Sequence, residues 1–400
     1  GFKPLYVVDG LFTDNINYLN TADIESMEIL KDPSSLAIFG VRGANGVIII
    51  TTKKAKEGQT LVNINTSFGW KHVVDRIKMV NASQFKELYS EQLVNEKNPA
   101  FDFSGWNADT DWQDEVLQNG FITNNNISVT GASEKHSFYL GMGYSYEQGN
   151  IKHEKFSKIT LNASNEYKIT DKIKVGFQFN GARMLPADSK SVLNAVRTTP
   201  IAPVFNEEYQ LYAALPEFQK AQMMNPMVDV DLKANTTRAE NYRASGNIYG
   251  EVDFLEHFNF RAVFSMDYGS NNGRTYQPII KVYDNTVKGN VATLGTGKTE
   301  VSQFKENETK VQSDYVLTYT NSFGDHNLTA TAGFTTYYNS LSRLDAARGQ
   351  GIGLVIPDNP DKWFVSIGDL ATATNGSTQW ERTTVSFLGR VIYNYKGKYL

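Results

Sequence analysis

The stretch that decides the fold lies near the start of the chain, where PLYVVDG covers residues 4–10 and DIESMEILKDPSSLAIFGVRGANGVIIITTKK covers residues 23–54. Its apolar runs predict three short strands around a helical turn and a glycine-rich corner. Asn45-Gly46 is a strong signal for a tight turn, and the apolar run from Val47 to Ile50 predicts a strand that is buried on both faces. These residues therefore predict a small α+β unit.

A regular alternation of apolar and polar residues marks the chain from Lys155 onward. Ile159, Leu161 and Ala163 share one face of a strand-like segment, while the polar residues between them share the other. Such alternation is typical of a strand with one apolar face, and soluble β-sandwiches show it as well. Length separates the two classes, because strands in globular proteins run about 5–6 residues whereas membrane strands need about 9–11. Several segments keep alternating beyond that length, which favours a membrane β-barrel.

The same pattern predicts about ten strands, joined by short turns at one end and mostly long loops at the other. The strands are expected near residues 60–74, 121–131, 136–148, 155–169, 173–184, 236–252, 258–276, 301–322, 327–345 and 380–396. Long loops are expected near residues 75–120, 185–235, 277–300 and 346–379. Outer-membrane barrels have this arrangement, so we expect the long loops to be extracellular. Within the first loop, Asn81 as a cap predicts a helix over residues 82–96.

The opening stretch closely resembles the plug of the SusC/RagA family of TonB-dependent outer-membrane transporters, over roughly fifty consecutive residues. The departures are Pro33, Phe39 and Val41, where the family more often has Ala, Tyr and Ser. Neither a glycine nor the central Arg42 is lost. The resemblance implies an all-β membrane barrel with a small α+β plug, of which this chain is a fragment; plugged transporters of this kind have about 22 antiparallel transmembrane strands.

Under this resemblance the chain divides into two parts. Residues 1–58 would form the C-terminal part of the plug domain, and residues 59–400 the N-terminal part of the transmembrane β-barrel. Ten strands alone would leave a sheet with two open edges, which is a liability in any solvent. We therefore expect the chain to supply slightly less than half of a barrel within a longer polypeptide.

In function, the resemblance implies TonB-dependent active import of a nutrient across the outer membrane of a Gram-negative, Bacteroidota-type bacterium. A SusD-like surface lipoprotein would deliver an oligosaccharide or peptide, a TonB–ExbB–ExbD complex would displace the plug, and outer-membrane lipid would surround the multi-pass barrel. Two alternatives stay open. The predicted plug argues against a passive porin, and the long apolar strand faces argue against a soluble or surface β-rich glycan-binding or adhesin module.

Composition excludes several other classes of protein. The chain has no cysteine, which excludes disulfides and thiolate metal sites. Its formal net charge of -4 gives no basic footprint for nucleic acid. No apolar run reaches the length of a transmembrane helix. The sequence contains neither an HExxH pair nor a nucleophile elbow, so we expect neither an enzyme nor a cofactor.

Charged residues in the plug indicate a latch between plug and barrel. The planar guanidinium of Arg42 could pair with carboxylates on the barrel wall. Glu25, Glu28, Lys31 and Asp32 could join the same latch. The alternative is that these charges are solvated on a small domain inside a wet lumen.

Aromatic residues in the long loops are candidates for substrate contact. The candidates are Trp106, Trp112, Tyr209, Tyr212 and Trp363. Such side chains stack on sugars or contact peptides, and they also pack large loops onto a barrel rim. Asp109, Asp111 and Asp114 are weak calcium candidates, because carboxylates suit Ca²⁺ but the loop glycine and closing Glu of an EF-hand are absent. No other metal site is predicted.

Overall fold

The computed structural model describes residues 3–55, 58–188 and 192–396. A small sheet near its start consists of β1 (Leu5–Val8), β2 (Leu11–Thr13), β3 (Ile24–Leu30) and β4 (Val47–Thr52). The strand order is β2–β1–β4–β3, with β1 parallel to β4 and the other neighbours antiparallel. Val47 and Ile50 are fully buried, as expected for the central strand. The sequence did not predict β2, because three residues are too few to show a period.

The glycine-rich corner joins β3 to β4. It contains α1 (Pro33–Leu36) and a 3₁₀ segment (Ala37–Gly43), and a short 3₁₀ turn (Thr21–Asp23) precedes β3. Gly40 interrupts the 3₁₀ segment at φ 56° and ψ -150°, a conformation that favours glycine. Leu36 and Phe39 pack against Val47, so the corner closes over one side of the small sheet. We call residues 3–55 the plug.

A large sheet of ten strands follows the plug. Its ten strands are β5 (Gly58–Lys71), β6 (Gly120–Ala132), β7 (His136–Gln148), β8 (Lys155–Thr170), β9 (Ile173–Leu185), β12 (Thr237–Phe254), β13 (Phe258–Gln277), β16 (Glu300–Phe323), β17 (His326–Gly349) and β18 (Thr374–Tyr395). Four short strands lie in the connections between them and form two separate pairs: β10 (Phe205–Asn206) with β11 (Leu211–Tyr212), and β14 (Ile280–Tyr283) with β15 (Val291–Leu294). The order β18–β17–β16–β13–β12–β9–β8–β7–β6–β5 is that of an antiparallel meander. Each predicted strand corresponds to one strand of this sheet, which we call the wall.

The two faces of the wall differ in polarity. On the outer face, Phe177, Ile248 and Phe264 are 43%, 62% and 47% exposed. On the inner face, Gln178 and Asp267 are only 5% and 1% exposed, because the plug covers them. An apolar outer face and a polar interior are the pattern of a transmembrane barrel, which confirms the alternation predicted from the sequence.

The long connections all leave the same end of the wall, because the strands form a meander. The connections β5–β6, β9–β12, β13–β16 and β17–β18 carry β10, β11, β14 and β15 and most of the helices, and we call them the loop layer. The helices are α2 (Ala82–Asn95), α3 (Trp112–Val116), α4 (Leu193–Arg197), α5 (Glu217–Lys220), a π segment (Val228–Leu232) and 3₁₀ turns at Pro360–Lys362, Val365–Ile367 and Leu370–Thr372. The predicted helix after Asn81 is confirmed, with Asn81 and Gln84 forming a capping box.

The loop layer has a hydrophobic core of its own. Its buried members come from the first and second long connections: Trp112, Val116, Ala195, Ala202, Leu215, Met227 and Val230. Across the described ranges, no helix is long and apolar enough to span a membrane.

Candidate functional site

The plug contacts the wall through the segment Asp9–Asp23, which leads from the end of β1 to the start of β3 and which we call the anchor segment. Lys310 of β16 is only 1% exposed on the inner face of the wall. Its Nζ lies 2.6 Å from Oδ2 of Asp14 and 3.0 Å from Oε1 of Glu308. One buried ammonium therefore joins a plug carboxylate to a wall carboxylate.

Arg243 on β12 makes a second charged contact. Its guanidinium pairs bidentately with Asp267 of β13, with 2.8 Å between Nε and Oδ1. The same guanidinium donates to Oγ1 of Thr13 at 3.0 Å and lies 4.9 Å from the ring centroid of Tyr18. Burial, with a contribution from the Asp267 charge, raises the pKa of the Tyr18 phenol to about 12. Tyr18 therefore stays neutral beside the arginine.

Polar side chains of other strands complete the interface. The hydroxyl of Tyr139 donates to Oδ1 of Asp23, and both residues are buried. The ammonium of Lys158 donates to the backbone carbonyls of Asn17 and Leu19 at 3.0 and 2.7 Å. Further hydrogen bonds join Gln312 to Gly10 and Phe12, Asn126 to Asn20, and Asn247 to Asp9. The anchor segment thus contacts strands from β6 to β16.

The carboxyl groups of the anchor segment respond differently to this environment. Burial opposes ionisation of Asp14, but its hydrogen bond and charge interaction with Lys310 hold its pKa below the usual value. Burial raises the pKa of Asp9 and of Asp23 despite the hydrogen bonds that they accept. Asp14 is therefore the carboxylate that the wall stabilises in its charged form.

Arg42 reaches the wall through an aromatic ring. Its guanidinium carbon lies 3.9 Å from the ring centroid of Tyr337 on β17 and 5.1 Å from that of Phe12. Nη1 of Arg42 is buried and has no hydrogen-bond partner. The interaction is thus a cation–π contact, and the predicted pairing of Arg42 with a wall carboxylate is not what the structure contains.

The other predicted latch residues lie on or directly after an edge strand of the plug sheet. Glu25 and Glu28 are exposed on β3, which is an edge strand of the plug sheet, and Lys31 and Asp32 follow it, also exposed. The Asp32 carboxylate accepts a hydrogen bond from the backbone N–H of Ser35 at 2.9 Å. The structure therefore does not bring these four charges together with Arg42 at the wall.

Two of the predicted substrate-contact residues are buried in the loop layer. Trp112 is 3% exposed, and its indole N–H donates to the carbonyl of Thr199 at 2.8 Å. Trp363 is 1% exposed and stacks on Tyr276, with 5.2 Å between ring centroids. Both side chains serve packing, because neither has a face open to a ligand.

The remaining aromatic candidates are partly buried. The hydroxyl of Tyr209 accepts from the side-chain amide of Asn290 at 3.1 Å, and that of Tyr212 donates to Asp231. Trp106 packs against the hydrophobic core of the loop layer. These three residues retain exposed area, but the structure does not gather them into one site.

The three calcium candidates have separate structural tasks. Asp109 accepts from the backbone N–H of Ala82 at 2.7 Å, and Asp111 caps α3. Asp114 pairs with Arg76 at 2.5 Å. Among the residues that the structure describes, no three acidic or histidine side chains are grouped as metal ligands would be. The weak calcium prediction is therefore not supported.

Comparison with known proteins shows which of them share this sequence pattern and architecture. No protein-family model matches the chain. The chain is 29% identical to TonB-dependent receptor P3 of Formosa agariphila and 26% identical to TonB-dependent receptor SusC of Bacteroides thetaiotaomicron, in each case over 99% of its own length. The RagAB peptide importer in its closed-closed state superposes over 98% of the chain with a TM-score of 0.80 at 19% identity. The relatives and the solved neighbours support a SusC/RagA-like TonB-dependent transporter.

The same comparisons support a compartment and a kind of sheet. The wall of this SusC/RagA-like chain is part of an outer-membrane β-barrel. The chain spans 38% and 40% of the length of the two curated relatives, and 47% of the matched RagAB chain. These relatives are named as receptors and importers rather than as enzymes.

Sequence reasoning on this SusC/RagA-like chain missed the residues that join plug to wall. The charges at this interface belong to Asp14, Arg243, Asp267 and Lys310, and none of them was singled out. A signal for three of them was available, because Arg243, Asp267 and Lys310 are charged residues at inward positions of alternating strands. A charge at an inward position of a plugged barrel needs a partner, and the plug is the nearest source of one.

Proposed function

We propose that this chain is part of a transporter that imports a nutrient actively through the outer membrane, with energy supplied by a TonB–ExbB–ExbD complex. The observation that carries the proposal is the ion pair between Asp14 of the plug and the buried Lys310 of the wall. A passive porin has no use for a folded stopper that is bonded to its inner face. A device that opens only when driven needs such an attachment.

The strength of the attachment explains why energy is required. A hydrogen bond to a charged group contributes about 1.5–3 kcal/mol net, and Lys310, Arg243 and Lys158 each donate such bonds to the anchor segment. Thermal motion breaks several of these bonds together only rarely. Ligand binding and a pulling force on the plug would together supply the free energy that is needed to break these contacts.

The proposal includes a SusD-like surface lipoprotein that delivers an oligosaccharide or a peptide. Support comes from the resemblance to SusC and to RagAB, the latter described as a peptide importer. Support also comes from the loop layer, which is large, has its own core and lies at one end of the barrel. The predicted latch at Arg42 is retained in altered form: its ring contacts supplement the anchor segment. No catalytic step is proposed.

The test measures the apparent mass of the native protein and identifies the proteins that co-purify with it. Outer membranes are extracted in mild detergent, and the band that contains these peptides is identified by mass spectrometry. A heat-modifiable band heavier than this chain alone, which co-purifies with a lipoprotein, is the expected result. A water-soluble chain without a partner would instead favour the glycan-binding or adhesin module. A heat-modifiable membrane protein that conducts ions freely in a separate bilayer measurement would favour the porin.

A further inference from the structure

A cavity in the loop layer is not used by the plug–wall interface. Its volume is about 760 Å³, and it lies between the first and second long connections. The apolar part of its lining comes from Ile77, Val80, Phe85, Trp112, Val196 and Pro200. Small-molecule sites are typically about 300–1,000 Å³ and mostly apolar, with a few placed polar groups. The cavity therefore has the size and lining of a ligand site.

Some of the charged side chains that line the cavity already have hydrogen-bond or ion-pair partners in the described part of the chain, and others do not. The carboxylates of Asp109 and Asp111 are occupied by backbone N–H groups, as caps of local structure. Arg76 is paired with Asp114. Lys78 and Arg197 also line the cavity and are exposed, and neither forms an ion pair within the described ranges. The charged side chains of the lining that are free to pair with a ligand, Lys78 and Arg197, are therefore both positive.

The aromatic side chains that line the cavity offer little exposed ring surface on which a sugar could stack. Trp112 is 3% exposed and its indole N–H is already used. Phe85 stacks on Tyr89, with 5.6 Å between ring centroids and an angle of 16° between the rings. Neutral glycans need open ring faces and many hydrogen-bonding groups, whereas an apolar side chain with a carboxylate matches aliphatic walls and unpaired cations.

We propose that this cavity binds a short peptide with an apolar C-terminal residue, whose α-carboxylate lies against Lys78 and Arg197. The proposal rests on the proposed transport function and names the substrate class that its loop layer recognises. A carboxylate pairs with a guanidinium through short, charge-assisted hydrogen bonds. The peptide's last side chain enters the apolar part, near Val80 and Val196.

The experiment uses the full-length transporter in detergent and isothermal titration calorimetry. The probes are alanyl-alanyl-leucine, the same peptide with an amidated C-terminus, and maltotriose. We expect the free acid to bind at least about tenfold more tightly than the amide, which is the effect of losing a charge-assisted bond. The double variant Lys78→Gln/Arg197→Gln is expected to remove that preference. Lys281→Gln, at an exposed position outside the cavity, serves as the matched control.

Several outcomes would overturn the proposal. Equal binding of acid and amide excludes the carboxylate site, and so does an unchanged preference in the double variant. Tight binding of maltotriose alone would assign the cavity to glycans. TonB-dependent uptake of a nutrient is measured separately in cells: uptake that persists while the cavity fails to bind peptide refutes only the cavity, whereas loss of TonB dependence refutes the proposed function.

Discussion

Replacement of Lys310 by methionine tests the attachment of plug to wall. Methionine keeps an unbranched side chain of similar length but removes the ammonium that lies between Asp14 and Glu308. Removing one partner of a fully buried ion pair costs about 3–5 kcal/mol. The Asp14 side chain is 67% exposed, so water recovers part of its solvation. We therefore expect the anchor segment to lose about 1–3 kcal/mol of attachment.

Hydrogen exchange followed by mass spectrometry measures this loss directly. A change of 1–3 kcal/mol corresponds to about a 5- to 150-fold larger population of the released state. Amide exchange in the anchor segment of the full-length transporter should accelerate by that factor, because exchange reports local opening. Exchange in β16 itself should change little, since its backbone hydrogen bonds to β13 and β17 remain.

A matched control separates loss of the ion pair from loss of a lysine. Lys281→Met removes an exposed lysine from β14 and should leave exchange in the anchor segment unchanged. Asp14→Asn should accelerate exchange, and the double variant with Lys310→Met should add little, because the two residues share one interaction. Equal exchange in Lys310→Met and Lys281→Met would refute the idea that this ion pair holds the plug.

Three further predictions concern the outer face, the loop layer and pH. Phe264→Arg places a charge near the middle of a membrane strand and should lower folding stability in lipid vesicles by about 2–4 kcal/mol, measured by urea titration. Trp112→Ala should destabilise the loop layer by about 3–5 kcal/mol and expose it to limited proteolysis. The stability advantage of wild type over Asp14→Asn, measured by the same exchange assay, should be complete above the unfolded pKa of about 3.9. It should disappear as the pH falls through the lower folded pKa.

Conservative variants provide the controls for these predictions. Phe264→Leu and Trp112→Phe should each lose less stability than the disruptive variant, because they keep apolar side chains. Full stability of Phe264→Arg in lipid would contradict the assignment of the outer face. Protease resistance of Trp112→Ala would contradict a packed loop layer, and an Asp14 advantage that is already lost well above pH 3.9 would contradict its pairing with Lys310.

The wall could be predicted from the sequence because its determinant is local. A period of two over long segments places Ile248 and Phe264 on one face and Asp267 on the other, whatever the neighbouring strands are. The helix after Asn81 was accessible for the same reason, since a cap and its partner at Gln84 lie three residues apart. Very short elements such as β2 carry too few residues for any period to appear.

The plug–wall contacts could not be predicted, because they depend on strand order and register. Asp14 and Lys310 are 296 positions apart, and no local pattern says that β16 lies opposite the anchor segment. Composition likewise does not distinguish Trp112 in a core from a tryptophan that faces a ligand. Arg42 shows the same limit: its importance was evident, but its partner proved to be the Tyr337 ring.

The most direct test of a plugged, driven transporter is electrical conductance across a planar lipid bilayer. The full-length protein is compared with a variant that lacks the whole plug domain, including residues 3–55. We expect the full-length protein to conduct almost no current and the variant to open a large, stable pore, because the polar inner face of the wall would then be free. Equal conductance of the two proteins would contradict the plug and favour a passive porin.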